Sequence, residues 1–214
     1  LDYGKYRYAN DIIVNLGVEK MNLIEINNLT IKFRTSLLED ISFTFHNANY
    51  LIKGNNGCGK TTLIRAITKC ADINSGTINR FKTTISYFYQ EVLLFHYLTV
   101  NEYIMCMANE FNDELLLLLE IDFLDVYIKK LSTGQVNKVL LYLTFAQKAD
   151  FYIIDEIINA IDNGVKLKVV KYLGGLQSGN FILVTHDKSL CDIIENSTKV
   201  VILKIENKKI LTIK

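Results

Sequence analysis

The chain has 214 residues, 50 % hydrophobic and 22 % charged, with a formal net charge of +1. That suits one globular domain, or one domain with a subdomain, and shows no basic stripe of the kind nucleic-acid binders carry. No apolar run has the length needed to cross a bilayer, and Cys58, Cys70, Cys106 and Cys191 are too scattered for a disulfide framework or zinc site, reading as reduced thiols of a cytosolic protein.

Residues 1–20 hold only an interrupted apolar segment, too weak for a signal peptide, and are read as an N-terminal extension of unknown role ahead of Met21, or as sequence upstream of the real start. The first strands are expected at Leu23–Ile26, Leu29–Phe33 and Ile41–Phe45, the last marked by alternation, and Tyr50–Lys53 is a short apolar strand. It runs into Gly54-Asn55-Asn56-Gly57-Cys58-Gly59-Lys60-Thr61-Thr62 and then a helix carrying Leu63, Ile64, Ala66 and Ile67. Strand, glycine-rich turn and helix, with G-x-x-x-x-G-K-[ST] spacing, make a phosphate-binding loop. Its glycines let the backbone approach a ligand, and its N–H groups and helix start form an anion nest. Lys60 is the expected partner of the β- and γ-phosphates, and Thr61 of Mg²⁺.

A turn is expected at Asn74-Ser75-Gly76 and a strand over Ile85–Tyr89, ending at Gln90. Residues 91–135 change character: Thr99-Val100-Asn101-Glu102 is a capping box opening a helix through Met107, and Glu114–Glu120 encloses five leucines. That run is too short for a membrane and reads as a buried helix of a small helical subdomain. Leu131-Ser132-Thr133-Gly134-Gln135 then precedes a helix with Val136, Val139, Leu140 and Leu143 on one face. An apolar strand, Phe151–Ile154, ends in Asp155-Glu156; a helix is expected near 163–173; and the strand Phe181–Val184 ends in Thr185-His186-Asp187. A last helix and a hairpin about Asn207 close the chain, with no regulatory domain expected beyond it.

Apolar strands alternating with helices imply a parallel sheet covered on both faces, whose ligands bind beyond the carboxyl ends of the strands. Lys60, Gln90, Asp155-Glu156 and His186 each follow such an end. Phosphoryl transfer needs positioned charge, and a cation on Asp155 would leave Glu156 as the better base.

From about residue 22 onward the chain resembles the ATP-binding-cassette ATPases, the motor subunits of ABC transporters. The most specific match is 131–135, similar to the family's signature motif with Thr133 where a second glycine is usual. The resemblance implies a P-loop NTPase fold of the α/β class: a RecA-like parallel core, an N-terminal antiparallel β subdomain and a helical signature subdomain at about 91–135, all within one domain over 21–214. It implies that Asp155 holds Mg²⁺, Glu156 activates the attacking water, Gln90 touches Mg²⁺ and that water, and His186 contacts the γ-phosphate. Ser132, Gly134 and Gln135 are expected at the γ-phosphate of ATP bound to a second protomer, although Ser132 also suits a helix cap. Asn159-Ala160-Ile161-Asp162 is similar to the D-loop; Asp162 equally suits a helix start. Phe33 sits where the family stacks an aromatic ring on adenine, or is simply a core strand residue.

The implied function is ATP hydrolysis driving transport, leaning to export, through a separate integral-membrane permease. A dimer of ATPase subunits would sit on the cytoplasmic face of the membrane without inserting into it. The alternative is a soluble ATPase of a cytosolic assembly complex, such as an iron–sulfur scaffold. A GTPase is disfavoured because Asn137-Lys138 is followed by Val139-Leu140, which lacks an N-K-x-D motif, and a binding module without turnover is disfavoured by Glu156.

Overall fold

In the computed structural model, which describes residues 22–32, 36–89, 95–108 and 110–213, the chain opens with a strand β1 (Asn22–Lys32). Two strands were expected here, broken at Asn27-Asn28. Instead the register to β2 (Ser36–His46) shifts between Ile26 and Leu29, and Asn28 takes φ 48°, so that Ile24, Ile26, Leu29 and Ile31 all stay buried. Asparagine tolerates that left-handed conformation, and a bulge re-phases the strand without ending it. The Asn28 amide donates to Asp40 Oδ1 at 2.8 Å across the pair.

A second difference lies at 74–76, where the expected turn is the entry to a strand, β4 (Ser75–Arg80), antiparallel to β1. Gly76, at φ 89°, permits it: a Cβ there would lie 2.5 Å from the carbonyl oxygens of Asn27 and Asn28. The order β2-β1-β4 forms the expected antiparallel subdomain.

The larger sheet has the order β5-β6-β7-β3-β8-β9, with β3 (Tyr50–Lys53), β5 (Ile85–Tyr87), β6 (Phe151–Asp155), β7 (Asn180–Val184) and β8 (Val201–Glu206) parallel and β9 (Lys209–Thr212) antiparallel to β8. Successive residues face different cores. Tyr50 and Ile52 join Leu63, Ile64 and Ile67 of α1 (Lys60–Ile67) and the apolar residues of β1 and β2. Leu51, Ile154 and Leu183 face the other way, toward the later helices. Burial on both faces is why these strands read as unbroken apolar runs.

Helices α2 (Val100–Met107) and α3 (Asp113–Leu119) start at side-chain caps, the Thr99–Glu102 capping box being present and Asn112 accepting from the Leu115 N–H. Both pack on α4 (Thr133–Phe145), where Tyr142 Oη accepts from the Asn112 N–H at 2.7 Å. The far end of α4 lies under the sheet, the Ser86 hydroxyl donating to the Thr144 carbonyl at 2.7 Å. Helices α5 (Asn163–Gly174) and α6 (Lys188–Ser197) complete that layer. No described helix is long and apolar enough to cross a membrane.

Candidate functional site

Because β3, β6 and β7 are parallel neighbours, the loops that leave them gather at one edge of the sheet. The loop after β3 enters α1 through Gly59, at φ 106°, with no side-chain cap. The first-turn N–H groups of α1 thus meet whatever lies in the loop, with the positive end of the helix dipole behind them. The Lys60 side chain is 4 % exposed, and its ammonium donates to the carbonyls of Gly54 and Asn55 at 3.0 and 3.1 Å, curled over the loop. Gly54 is required by close approach, since a Cβ would stand 2.9 Å from the Ile205 carbonyl oxygen. Asn56, Gly57, Gly59, Lys60, Thr61, Thr62 and Glu156 line a cavity of about 170 Å³ together with Leu37. Cys58 lies in the same loop, its N–H donating to the Asn55 carbonyl at 3.2 Å.

Asp155 ends β6 beside this cavity. The Thr61 hydroxyl donates to its Oδ1 at 3.2 Å and the Tyr87 hydroxyl to its Oδ2 at 3.4 Å. Burial pushes the Asp155 carboxyl above the ordinary carboxylate value, and the neighbouring Glu156 charge adds to this. The Thr61 and Tyr87 hydrogen bonds and the Arg65 charge pull the other way. A hydroxyl and a carboxylate side by side are hard oxygen donors of the kind Mg²⁺ takes beside substrate phosphates, so these residues fit that ion.

Glu156, the next residue, is in the left-handed region at φ 56°, which turns its side chain back toward the loop. Its Oε1 lies 3.5 Å from Lys60 Nζ and 3.3 Å from His186 Nδ1. One carboxylate thus joins the phosphate loop to the loop that follows β7.

Of the residues singled out in the sequence, Gly54 through Thr62, Asp155, Glu156 and His186 meet here. Phe33 and Gln90 lie outside the described residues. Ser132, Gly134 and Gln135 stand at the start of α4, away from this cavity. The Ser132 Oγ accepts from the Gln135 N–H at 3.3 Å and Gln135 Oε1 from the Ser132 N–H at 2.9 Å, a reciprocal box. Both bonds use acceptors, leaving the hydroxyl and amide hydrogens as donors. Gly134 also has a local reason, since a Cβ there would be 3.1 Å from the Ala160 carbonyl oxygen. Asp162 caps α5, accepting from the Val165 N–H at 2.9 Å, and pairs with Lys138 at 3.2 Å.

Tyr87 and Arg65 escaped the sequence reading. Tyr87 pairs with Ile153, two residues before Asp155, so its reach to that carboxylate depends on strand register. Burial raises the Tyr87 hydroxyl far above its ordinary value, and Asp155 adds to the shift. The Arg65 guanidinium lies 5.4 Å from the centre of the Tyr89 ring, which itself stacks on Tyr87.

A family model described as ABC transporter matches residues 38–159. The zinc import ATP-binding protein ZnuC of Buchnera aphidicola is 30 % identical over 84 % of this chain and 80 % of its own length. The cytochrome c biogenesis ATP-binding export protein CcmA of Mannheimia succiniciproducens is 27 % identical over 78 % and 89 %. Among solved structures, an ATP-binding subunit of an ABC transporter aligns at TM-score 0.74 with 20 % identity, over 88 % of each chain. A dimeric post-hydrolysis ATP-binding cassette bound to ADP and Pi also aligns at 0.74, with 17 % identity, over 88 % of this chain and 96 % of that one.

Proposed function

The chain belongs to the ABC transporter family as an ATP-binding ATPase subunit, and from that premise we propose that two copies close head to tail on two ATP molecules and drive a separate membrane-spanning partner. The observation that carries the reading is the run of contacts from Lys60 through Glu156 to His186 beside the phosphate loop.

In this proposal the loop N–H groups and Lys60 bind the β- and γ-phosphates, and Thr62 continues the cradle. Thr61 and Asp155 would hold Mg²⁺, with Gln90 proposed as a further ligand, and the ion would supply charge neutralisation at the phosphates. Glu156 orients the attacking water and accepts its proton, while His186 bonds the γ-phosphate from the other side. Phe33 is proposed as the adenine-stacking ring on the family resemblance alone. The Ser132 hydroxyl, the Gln135 amide and the backbone at Gly134 offer donors at a helix start, which suits the γ-phosphate bound to the other copy. Asp162 supports that interface from the D-loop.

The relatives include one named for import and one for export, so the proposal commits to a membrane-spanning partner, with the ATPase dimer on the cytoplasmic face, and not to a direction. Both names are those of transport proteins, which favours this reading over a cytosolic assembly complex. Glu156→Gln tests the chemistry. ATP binding should survive and turnover fall about 10²- to 10⁴-fold, with ATP giving a persistent dimer on gel filtration. Hydrolysis at the parent rate would remove Glu156 from its role. Co-purification with an integral membrane protein tests the partner.

A further inference from the structure

We propose that the half-buried Asn159 and the fully buried Thr185 form a side-chain clamp that sets the position of Glu156 relative to His186; this rests on the hydrolytic reading above and deepens it. Glu156 sits at φ 56°, a conformation that costs a residue with a Cβ, so its surroundings must hold it. Its N–H donates to the Val184 carbonyl at 3.0 Å, and its carbonyl accepts from the Asn159 N–H at 2.9 Å. The same Asn159 then reaches across with its side chain, Oδ1 accepting from the Thr185 hydroxyl at 2.8 Å. That hydroxyl in turn accepts from the Asp187 N–H at 3.0 Å. His186 lies between those two residues and faces Glu156 at 3.3 Å.

The bonds close a ring: Glu156 backbone, Asn159 backbone, Asn159 side chain, Thr185 side chain, His186, and back to Glu156. Its parts differ in exposure. The side chains of His186 and Glu156 are 47 % and 37 % exposed, so water competes for their direct contact. Thr185 is fully buried, and its bond to Asn159 has no such competitor. The spacing of the two exposed groups is therefore set from beneath. A base and a γ-phosphate ligand on different loops act together only while that spacing holds to a fraction of an ångström. Neither Asn159 nor Thr185 lines the cavity at the phosphate loop, and both act through Glu156 and His186, which makes them positioning residues.

Thr185→Val keeps the shape and leaves Asn159 Oδ1 and the Asp187 N–H unpartnered. In the purified chain it should lower kcat for ATP about 10- to 100-fold with KM unchanged, and Thr185→Ser should restore kcat. Asn159→Ala, at a half-buried position, should lower kcat alike, and the double variant should be no worse than Thr185→Val alone, since the bond that Asn159→Ala removes is already lost there. A parent-like kcat in Thr185→Val or Asn159→Ala overturns the clamp, as does failure of serine to rescue or a double loss equal to the product of the single losses. Should Thr185→Val not fold, Asn159→Ala alone decides by the same kcat criterion. Glu156→Gln run alongside separates the two levels: parent-rate hydrolysis there overturns the hydrolytic reading, whereas a stalled Glu156→Gln beside a fully active Thr185→Val overturns the clamp alone.

Discussion

The Lys60 ammonium stands 3.5 Å from the Glu156 carboxylate, the first buried and the second partly open to solvent. A buried cation is stable only while anionic or carbonyl oxygens surround it, and Lys60 has both kinds. A phosphate fits the same surroundings, which makes the residue a direct test of the nucleotide site.

Lys60→Ala is expected to weaken binding of ATP by about 10- to 100-fold, the worth of hydrogen bonds to a charged group. Titration with a fluorescent ATP analogue measures it. Affinity equal to the parent's would take away the charge on which the site depends.

Gly59→Ala should destabilise the loop. At φ 106° any side chain is strained, and the added Cβ would also lie 3.1 Å from Leu38 Cδ2. The expected cost is about 1–3 kcal/mol, read as a lower melting temperature together with weaker nucleotide binding. A melt superimposable on the parent's would mean the loop takes another conformation at no cost.

Asp162→Asn keeps a helix-capping side chain but removes the charge facing Lys138. The Val165 N–H, with Lys138 beside it, holds the Asp162 carboxyl below the ordinary carboxylate value. A depressed folded-state value means the stabilisation is complete above the unfolded-state value, about 3.9, and is lost as pH falls through the lower folded one. With the Asp162 side chain 53 % exposed, the pair is worth about 0.2–1 kcal/mol. Melting curves across pH should therefore show the variant slightly less stable at neutral pH, with the gap closing in acid. A gap that persists at low pH would contradict the assignment.

Tyr87→Phe removes one of two hydroxyls that donate to Asp155. The freed carboxylate loses orientation, and the Mg²⁺ concentration for half-maximal hydrolysis should rise about two- to tenfold, the worth of one long hydrogen bond to a partly exposed carboxylate. An unchanged requirement would leave Tyr87 a packing residue beneath the loop.

What could be read in advance followed from how local the signal was. The phosphate loop, the Thr99 capping box, the Ser132 helix cap and the apolar strands each lie within a few consecutive residues, and the structure carries them where they were expected. By contrast β4 offers only Ile78 as an apolar side chain and runs at a sheet edge, so Ser75-Gly76 read as a turn. Asn27-Asn28 read as a break because a bulge hides in the pairing with β2. In the site, Lys60, Asp155, Glu156 and His186 were legible because each follows a strand. Tyr87 and the Asn159–Thr185 bond were not, since both depend on which strands become neighbours.

The backbone at residue 156 has one more implication. Glycine would occupy φ 56° without the penalty that a Cβ brings, at the cost of a looser unfolded chain. Thermal robustness and turnover accordingly pull this position apart: a variant that binds ATP without hydrolysing it could outlast the working protein on heating. Screens that select for heat resistance alone would drift toward a sturdier, silent motor.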